Sequence, residues 1–330
     1  MIFYNMVRKT FRDTIYTRTD DTGCIFYFTA SDFPGLHTQP KSIKSSRGYD
    51  LKGFFYFYDN PIPGRIIVFE HGMGSGHTGY MKEIEQLCRH GFKVFAYDHS
   101  GCMASGGETT GGFAQSICDC NDVLDALSKD ACCDGCTFSV IGHSWGGLST
   151  LNIAAFHPEV THCVAISGPI SVKQMLSGAF SGILKPFRNR ILQEEIDANP
   201  VYATCDARLS LSNTNAHVLV LHSDDDPVVP CKAHFEVLRD ALEEKGKKNI
   251  RFEKVTKKAH NPNYTEDAVQ YKDAFFAEYK KAIKEKKLVT AEQKTAFRAS
   301  YDWNRMTQQD EAVWKIIFET LDKQEDSHAI

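Results

Sequence analysis

Residues 137–152, TFSVIGHSWGGLSTLN, are the stretch around which this chain is organised. Residues 137–141 form a short β-rich apolar run suited to a buried strand, and a helix is expected after Trp145. Between them stands Gly142-His143-Ser144-Trp145-Gly146-Gly147. A serine on so tight a strand-to-helix turn must take a strained backbone, and only small neighbours let the turn pack. Such a turn exposes the hydroxyl at a sheet edge and aims the helix N-terminus at developing negative charge. Ser144 is therefore read as a nucleophile. The strand before it and the helix after it separate the motif from a chance G-x-S-x-G.

Outward from this turn, apolar runs alternate with amphipathic ones. Residues 65–70 (RIIVFE) read as a buried strand, and Met81, Ile84, Leu87 and Cys88 mark one face of a helix ending near Gly91. Residues 92–97 return to a strand, and Phe113, Ile117, Leu124 and Leu127 recur at helical spacing. Further strands are expected at 162–166, 217–222 and 250–255, with helices at 232–243 and 266–284. Residues 24–29 and 51–58 read as an antiparallel lead-in pair. Strands alternating with helices of this length imply parallel βαβ units with helices on both faces. The expected fold class is α/β, with a mostly parallel eight-stranded sheet flanked by helices.

The rhythm fails at residues 171–215. There Met175, Leu176, Phe180 and Ile183, then Ile191 and Ile196, flank Pro186 with no strand between them. This segment is expected to form a short helical cap over the C-terminal edge of the sheet. Residues 1–170 and 216–284 would then be the core. Residues 285–330 would be a helical extension packed on it, with Val313, Ile316, Ile317 and Leu321 on one face of a helix and Thr307 as its N-cap.

A serine nucleophile needs a base, and the base needs an orienting acid. After residues 217–222 comes Ser223-Asp224-Asp225-Asp226-Pro227, and after 250–255 comes Lys257-Lys258-Ala259-His260-Asn261-Pro262. His260 is the candidate base. Asp226 is the preferred acid, because Pro227 restrains it to an extended backbone; Asp224 is the second choice. An oxyanion needs two N–H donors. The turn His71-Gly72-Met73-Gly74 after RIIVFE can supply one from Met73, and Trp145 the other. The glycines at 72, 74 and 76 fit neither a dinucleotide fingerprint nor a P-loop, since His77 stands where a third glycine would fall.

The composition excludes other classes. A formal charge of −4 over 330 residues gives no electrostatic reason to expect nucleic acid. No apolar run approaches the ~20 residues of a membrane-spanning helix, so no integral membrane segment is expected. The opening MIFYNMVRKTFRD meets charge early and lacks a cleavage-site pattern, so no secretory leader is expected. Eleven cysteines in a chain this long suit reduced thiols and a cytoplasmic location better than a disulfide scaffold. Cys118, Cys120, Cys132, Cys133 and Cys136 cluster without the paired spacing of a zinc site, so no metal is expected. The lysines between 280 and 287 suit a helix C-terminus.

These residues together resemble the α/β-hydrolase superfamily, especially the branch of monoacylglycerol lipases, lysophospholipases and serine aminopeptidase-like esterases. The resemblance runs from about residue 51 to about residue 284. It implies Ser144, Asp226 and His260 as catalytic residues and Met73 and Trp145 as oxyanion donors. In that branch an H-G-x-G turn is followed by a His and a Tyr, and His77 and Tyr80 hold those places. Substrate-pocket candidates are His71, Gly72, His77, Tyr80 and His143. The family stretch Asp-x-x-Gly-x-Gly-x-Ser reads Asp98 to Ser105 here, with Met103 for the second glycine, so a different loop path is expected. The implied activity is hydrolysis of a small-molecule or lipid ester through an acyl-enzyme, with no cofactor. Two alternatives stand beside it. One is an aminopeptidase or amidase on the same triad, with Glu194, Glu195 and Asp197 as candidate amine receptors. The other is a non-catalytic binding protein on the same scaffold.

Overall fold

In the computed structural model, which describes residues 2–323, RIIVFE lies at the centre of a sheet. Met1 and residues 324–330, the outer ends of the expected core and extension, lie outside the described residues. The strands are β1 (His37–Lys44), β2 (Asp50–Phe57), β3 (Arg65–Glu70), β4 (Lys93–Tyr97), β5 (Thr137–His143), β6 (Val160–Ile166), β7 (His217–Ser223) and β8 (Ile250–Val255). Among the described residues they form one eight-stranded sheet in the order β1-β2-β4-β3-β5-β6-β7-β8. Strand β2 is antiparallel to both of its neighbours, and every other pair is parallel.

An apolar strand buried on both faces needs cover on both. Ile66 and Val68 enter one apolar cluster and Ile67 and Phe69 the other, as alternate side chains leave opposite faces. The helices are α1 (Ile2–Ile15), α2 (Met81–Arg89), α3 (Gln115–Ser128), α4 (Trp145–Asn152), α5 (Val172–Ala179), α6 (Arg188–Ala198), α7 (Ala207–Ser210), α8 (Phe235–Glu243), α9 (Glu266–Lys284), α10 (Ala291–Ala299), α11 (Trp303–Met306) and α12 (Glu311–Leu321). Val123, Leu124 and Leu127 of α3 and Leu238 and Leu242 of α8 cover the first face. Met81, Ile84 and Leu87 of α2 cover the second, together with Val313, Trp314, Ile317 and Leu321 of α12. The C-terminal helix thus supplies part of the sheet's own helical layer, against Val164, Ile166, Leu219 and Leu221 of β6 and β7. No helix among the described residues is long and apolar enough to cross a membrane.

Helices α5, α6 and α7 and a 3-10 turn at Gly182–Phe187 lie between β6 and β7. Val172, Leu176, Phe180 and Ile191 from this segment share an apolar cluster with Trp145 and Leu148 of α4, and Met73 and Phe113 pack at its margin. Helix α1 joins them through Phe11, and Tyr4 and Arg8 both donate to Glu194 Oε1, at 2.9 and 2.7 Å. A contact this remote in sequence has no local signature, and the helix at residues 2–15 was not anticipated.

Three expectations need correction. Residues 24–29 are not a strand; the first strand is His37–Lys44, paired with β2. It is an edge strand with Pro40 inside it and only Ile43 buried, so it shows no alternation of apolar and polar side chains. The last helix is capped by Asp310, whose side chain accepts from Ala312 N and Val313 N, whereas Thr307 ends α11. The tail also carries α10, started by the Thr290–Gln293 capping box, and α11. The helix expected from 232 begins at Phe235 after a 3-10 turn.

Ile317 is fully buried in the layer that α12 completes. Ile317→Ala should lower unfolding stability by about 2–5 kcal/mol, read as a shift in urea midpoint. A loss below about 1 kcal/mol would mean that α12 only decorates the surface.

Candidate active site

Ser144 follows β5 and caps α4 with φ 56° and ψ −113°, a backbone that non-glycine residues adopt only when their surroundings compel it. Those surroundings are close-packed backbone. Ser144 N donates to Ile166 O at 2.8 Å, tying the turn to β6. A Cβ on Gly146 would lie 2.1 Å from Glu70 O, and one on Gly142 would lie 2.3 Å from Gly146 O. Glycine is required at both places so that the start of α4 can press against the end of β3.

His260 Nε2 stands 2.8 Å from Ser144 Oγ, and its Nδ1 stands 2.8 Å from Asp226 Oδ2. The other carboxylate oxygen of Asp226 accepts from Val228 N at 2.8 Å and Val229 N at 2.9 Å, which sets the plane of the carboxylate. Burial alone would raise the Asp226 carboxyl. Hydrogen bonding to His222 and His260, with the Val229 N–H, outweighs burial and holds it well below the usual carboxylate range. Its neighbours point elsewhere: Asp224 is exposed, and Asp225 binds Ser223 Oγ and Ala259 N. His222, read from the sequence only as a strand end, is fully buried and donates from Nε2 to Val229 O at 2.7 Å. No sequence signal distinguishes such a histidine from an ordinary core one.

Gly72 lies beside the serine, since a Cβ on it would sit 3.4 Å from Ser144 Cβ. His71 Nε2 accepts from His99 N at 2.9 Å, so its proton is on Nδ1, which donates to Gly72 O at 2.8 Å. Because the peptide is planar and trans, fixing the Gly72 carbonyl turns the Met73 N–H the opposite way. The Trp145 N–H is the first of α4 and has no intrahelical acceptor. Burial, then the charge of His99, pushes the His71 imidazole down to about 3, so it stays neutral.

A second chain of bonds joins this turn to His260. Gly72 N donates to Tyr80 Oη at 3.0 Å, Tyr80 donates to His143 Nδ1 at 2.9 Å, and His143 Nε2 donates to His260 O at 2.7 Å. The backbone groups at the two ends, one N–H and one C=O, fix every proton between them. Burial first, then His260, keeps His143 neutral by lowering its pKa well below the ordinary value. His71, His77, Tyr80 and His143 were expected to line a pocket. All four are buried, and their polar atoms are occupied by protein partners. His77 binds Asp98 Oδ1 at 2.7 Å and Tyr56 Oη at 3.0 Å. Met103 adopts the left-handed backbone (φ 42°) that a glycine there would take without strain.

Beneath the turn lies a cluster that the sequence did not announce. His99 sits between Glu70 Oε2 at 3.4 Å and Asp119 Oδ2 at 3.3 Å, with all three fully buried. Burial opposes charge on His99, but the two carboxylates outweigh it and raise its pKa. Asp119 also accepts from Ser100 N and Gln115 Nε2, each at 2.8 Å, and Glu70 accepts from Ser149 Oγ at 2.8 Å. Among the described residues no group of three or more His, Cys, Asp or Glu side chains could hold a metal ion.

The three acids read from the sequence as candidate amine receptors, Glu194, Glu195 and Asp197, all have partners. Glu194 meets α1, Asp197 accepts from Gln193, and Glu195 Oε2 accepts from Phe113 N at 2.9 Å. Burial raises Glu195 to about 7. The folded state therefore holds a proton there between the ordinary carboxyl pKa and about 7, and Glu195 weakens the fold as pH rises through that window. Glu195→Gln should be more stable than the parent at pH 8 and lose that advantage by pH 5, in urea titrations. A difference that does not change with pH would refute this. Tyr80→Phe should cost about 1–3 kcal/mol by leaving Gly72 N–H and His143 Nδ1 unpartnered, again by urea titration. A neutral effect would show that these bonds are not held.

A family model described as serine aminopeptidase, S33 matches residues 61–204, which include Ser144 and the turns after β3 and β5. A putative carbamate hydrolase of Rhizobium rhizogenes is 31% identical over 98 residues, or 29% of this chain; the match spans 35% of that relative's length. An esterase of Pyrococcus furiosus superposes with TM-score 0.57 at 18% identity, covering 82% of this chain and 97% of its own. A putative dienelactone hydrolase from Klebsiella pneumoniae covers 88% of this chain and 99% of its own, with TM-score 0.52 and 18% identity. An acylaminoacyl peptidase of Pyrococcus horikoshii covers 70% of this chain and 38% of its own, with TM-score 0.52 and 19% identity. Sheet order, the strained turn after β5 and these likenesses agree on one architecture: the chain has the α/β-hydrolase fold.

Proposed function

We propose that this protein is a serine hydrolase that cleaves carboxylic esters through an acyl-enzyme. The observation that carries the reading is His260, bridging Ser144 Oγ and Asp226 Oδ2 at 2.8 Å on each side. Ser144 attacks the ester carbonyl while His260 takes its proton. Asp226 holds the imidazole tautomer and stabilises the imidazolium. The Met73 and Trp145 N–H groups bind the oxyanion, the first turned outward by the His71–Gly72 bond and the second by the start of α4. His260 returns its proton to the leaving alcohol. Water then cleaves the acyl-enzyme with His260 again as base.

Helices between β6 and β7 act as a cap that selects a small-molecule or lipid acyl group, a role supported by their apolar packing around Trp145 and Met73. The amide-cleaving alternative draws on the family description and on the peptidase neighbour. The acids that would have received an amine are occupied, which favours the ester. A non-catalytic role is disfavoured because the three side chains are hydrogen-bonded in series. The eleven unpaired cysteines accord with a reducing, cytoplasmic compartment.

A fluorophosphonate probe should label the parent protein, and Ser144→Ala should abolish labelling and turnover of p-nitrophenyl esters. Labelling that survives the substitution would overturn the assignment. Aminoacyl anilides turned over faster than the esters would favour the amide reading.

A further inference from the structure

The His260 loop is held from two sides. On one, Lys258 N donates to Ser223 Oγ at 3.2 Å and Ala259 N to Asp225 Oδ1 at 3.0 Å, tying the loop to the end of β7. On the other lies the segment just before α12. Tyr264 pairs antiparallel with Gln309, Thr265 N donates to Gln308 O at 3.0 Å, and Asp310 N donates to Asn263 O at 2.8 Å. Asn263 Nδ2 reaches Gln309 Oε1 at 2.9 Å. The Lys258 ammonium, largely buried, crosses this seam to Tyr264 O and to the Asp310 carboxylate.

Two features show that the loop would not keep this shape unaided. Lys257 (φ 59°) and Ala259 (φ 43°) are both left-handed and neither is glycine, so each side of Lys258 carries strain that surrounding contacts must hold. The anchor for those contacts is rigid: Asp310 caps α12, whose apolar face is buried on β6 and β7. Sheet, α12, Asp310 and Lys258 therefore form one continuous support that ends two residues before His260.

We propose that Asp310 and Lys258 are positioning residues, through which the C-terminal segment braces the loop that presents the base to Ser144. This rests on His260 acting as the base. Neither residue touches the reacting atoms; the pair acts by limiting where the imidazole can go. Breaking it leaves an ammonium buried without its counter-charge, and the loop relieves that by moving.

The test uses the full chain and two variants. Asp310→Asn keeps a good N-cap for α12 and removes the charge facing Lys258. Lys258→Met removes the ammonium and leaves the partly exposed Asp310 carboxylate to the α12 amides it caps. Each should lower kcat by about tenfold or more while KM stays within about threefold. Each should also speed hydrogen exchange at residues 257–265 while α12 keeps its protection. Glu319→Gln breaks the exposed Arg251–Glu319 pair, which holds the same helix to β8, and should leave kcat and the loop's exchange as in the parent. Parent-like kcat and exchange in both loop variants would overturn the brace, as would an equal loss in Glu319→Gln. If the parent shows no Ser144-dependent turnover, the esterase reading fails by itself, and the exchange measurement alone decides the brace.

Discussion

The backbone of Ser144 is the constraint on which the rest of the site depends. A φ of 56° with ψ of −113° costs about 1–3 kcal/mol, so it persists only where neighbouring backbone leaves no alternative. The register that sets Glu70 beside Gly142 brings the ends of β3 and β5 together, and the glycines at 142 and 146 let α4 start within contact distance of Glu70 O. The Ser144 amide is then bound to the end of β6. Three adjacent parallel strands are needed to hold one residue. The hydroxyl and the Trp145 N–H emerge on the same edge because of it.

What surrounds the serine is a frame of polar side chains with fixed protons. His71 orients the Gly72 peptide, Tyr80 and His143 link that peptide to the His260 carbonyl, and two backbone amides hold the Asp226 carboxylate. Buried polar groups arranged in this way are rigid because each unmade bond would leave a desolvated donor or acceptor. The His99 cluster extends the frame downward, with its ring centroid 4.8 Å from that of Trp145. Rigidity of this kind is what the proposed oxyanion site requires, since its donors must be in place before charge develops.

Where the chain follows local rules, its structure was legible in the residues. The buried run RIIVFE, the apolar stripe of α2 and the strand-Gly-x-Ser-x-Gly-helix turn each appear where their pattern placed them. Strand β1 escaped notice because an exposed edge strand has no apolar face to alternate. Helix α1 escaped because its polar groups are matched by Glu194, nearly two hundred residues away. The burial of the histidines near Ser144 is not legible in the sequence, because type and spacing do not reveal it. His71 and His99 sit in adjoining turns with opposite pKa shifts: burial and the charge of His99 prevail at His71, whereas Glu70 and Asp119 outweigh burial at His99.

The sequence by itself determined the class of fold, the strained turn at Ser144 and the chain order of a serine, an aspartate and a histidine, because each of these is written in short-range spacing and backbone chemistry. Three things were decided only by the tertiary structure. Asp226, alone of three adjacent aspartates, meets His260, because the turn after β7 directs one carboxylate inward and leaves the other two to solvent or to local bonds. The last helix packs into the core, because its apolar side chains cover the face that β6 and β7 present with Val164, Ile166, Leu219 and Leu221. Glu194 and Glu195, between β6 and β7, bind α1 and a backbone amide, because partners remote in the chain are brought to them by packing. In each case a choice among chemically equivalent groups is made by position in space, which spacing along the chain does not encode.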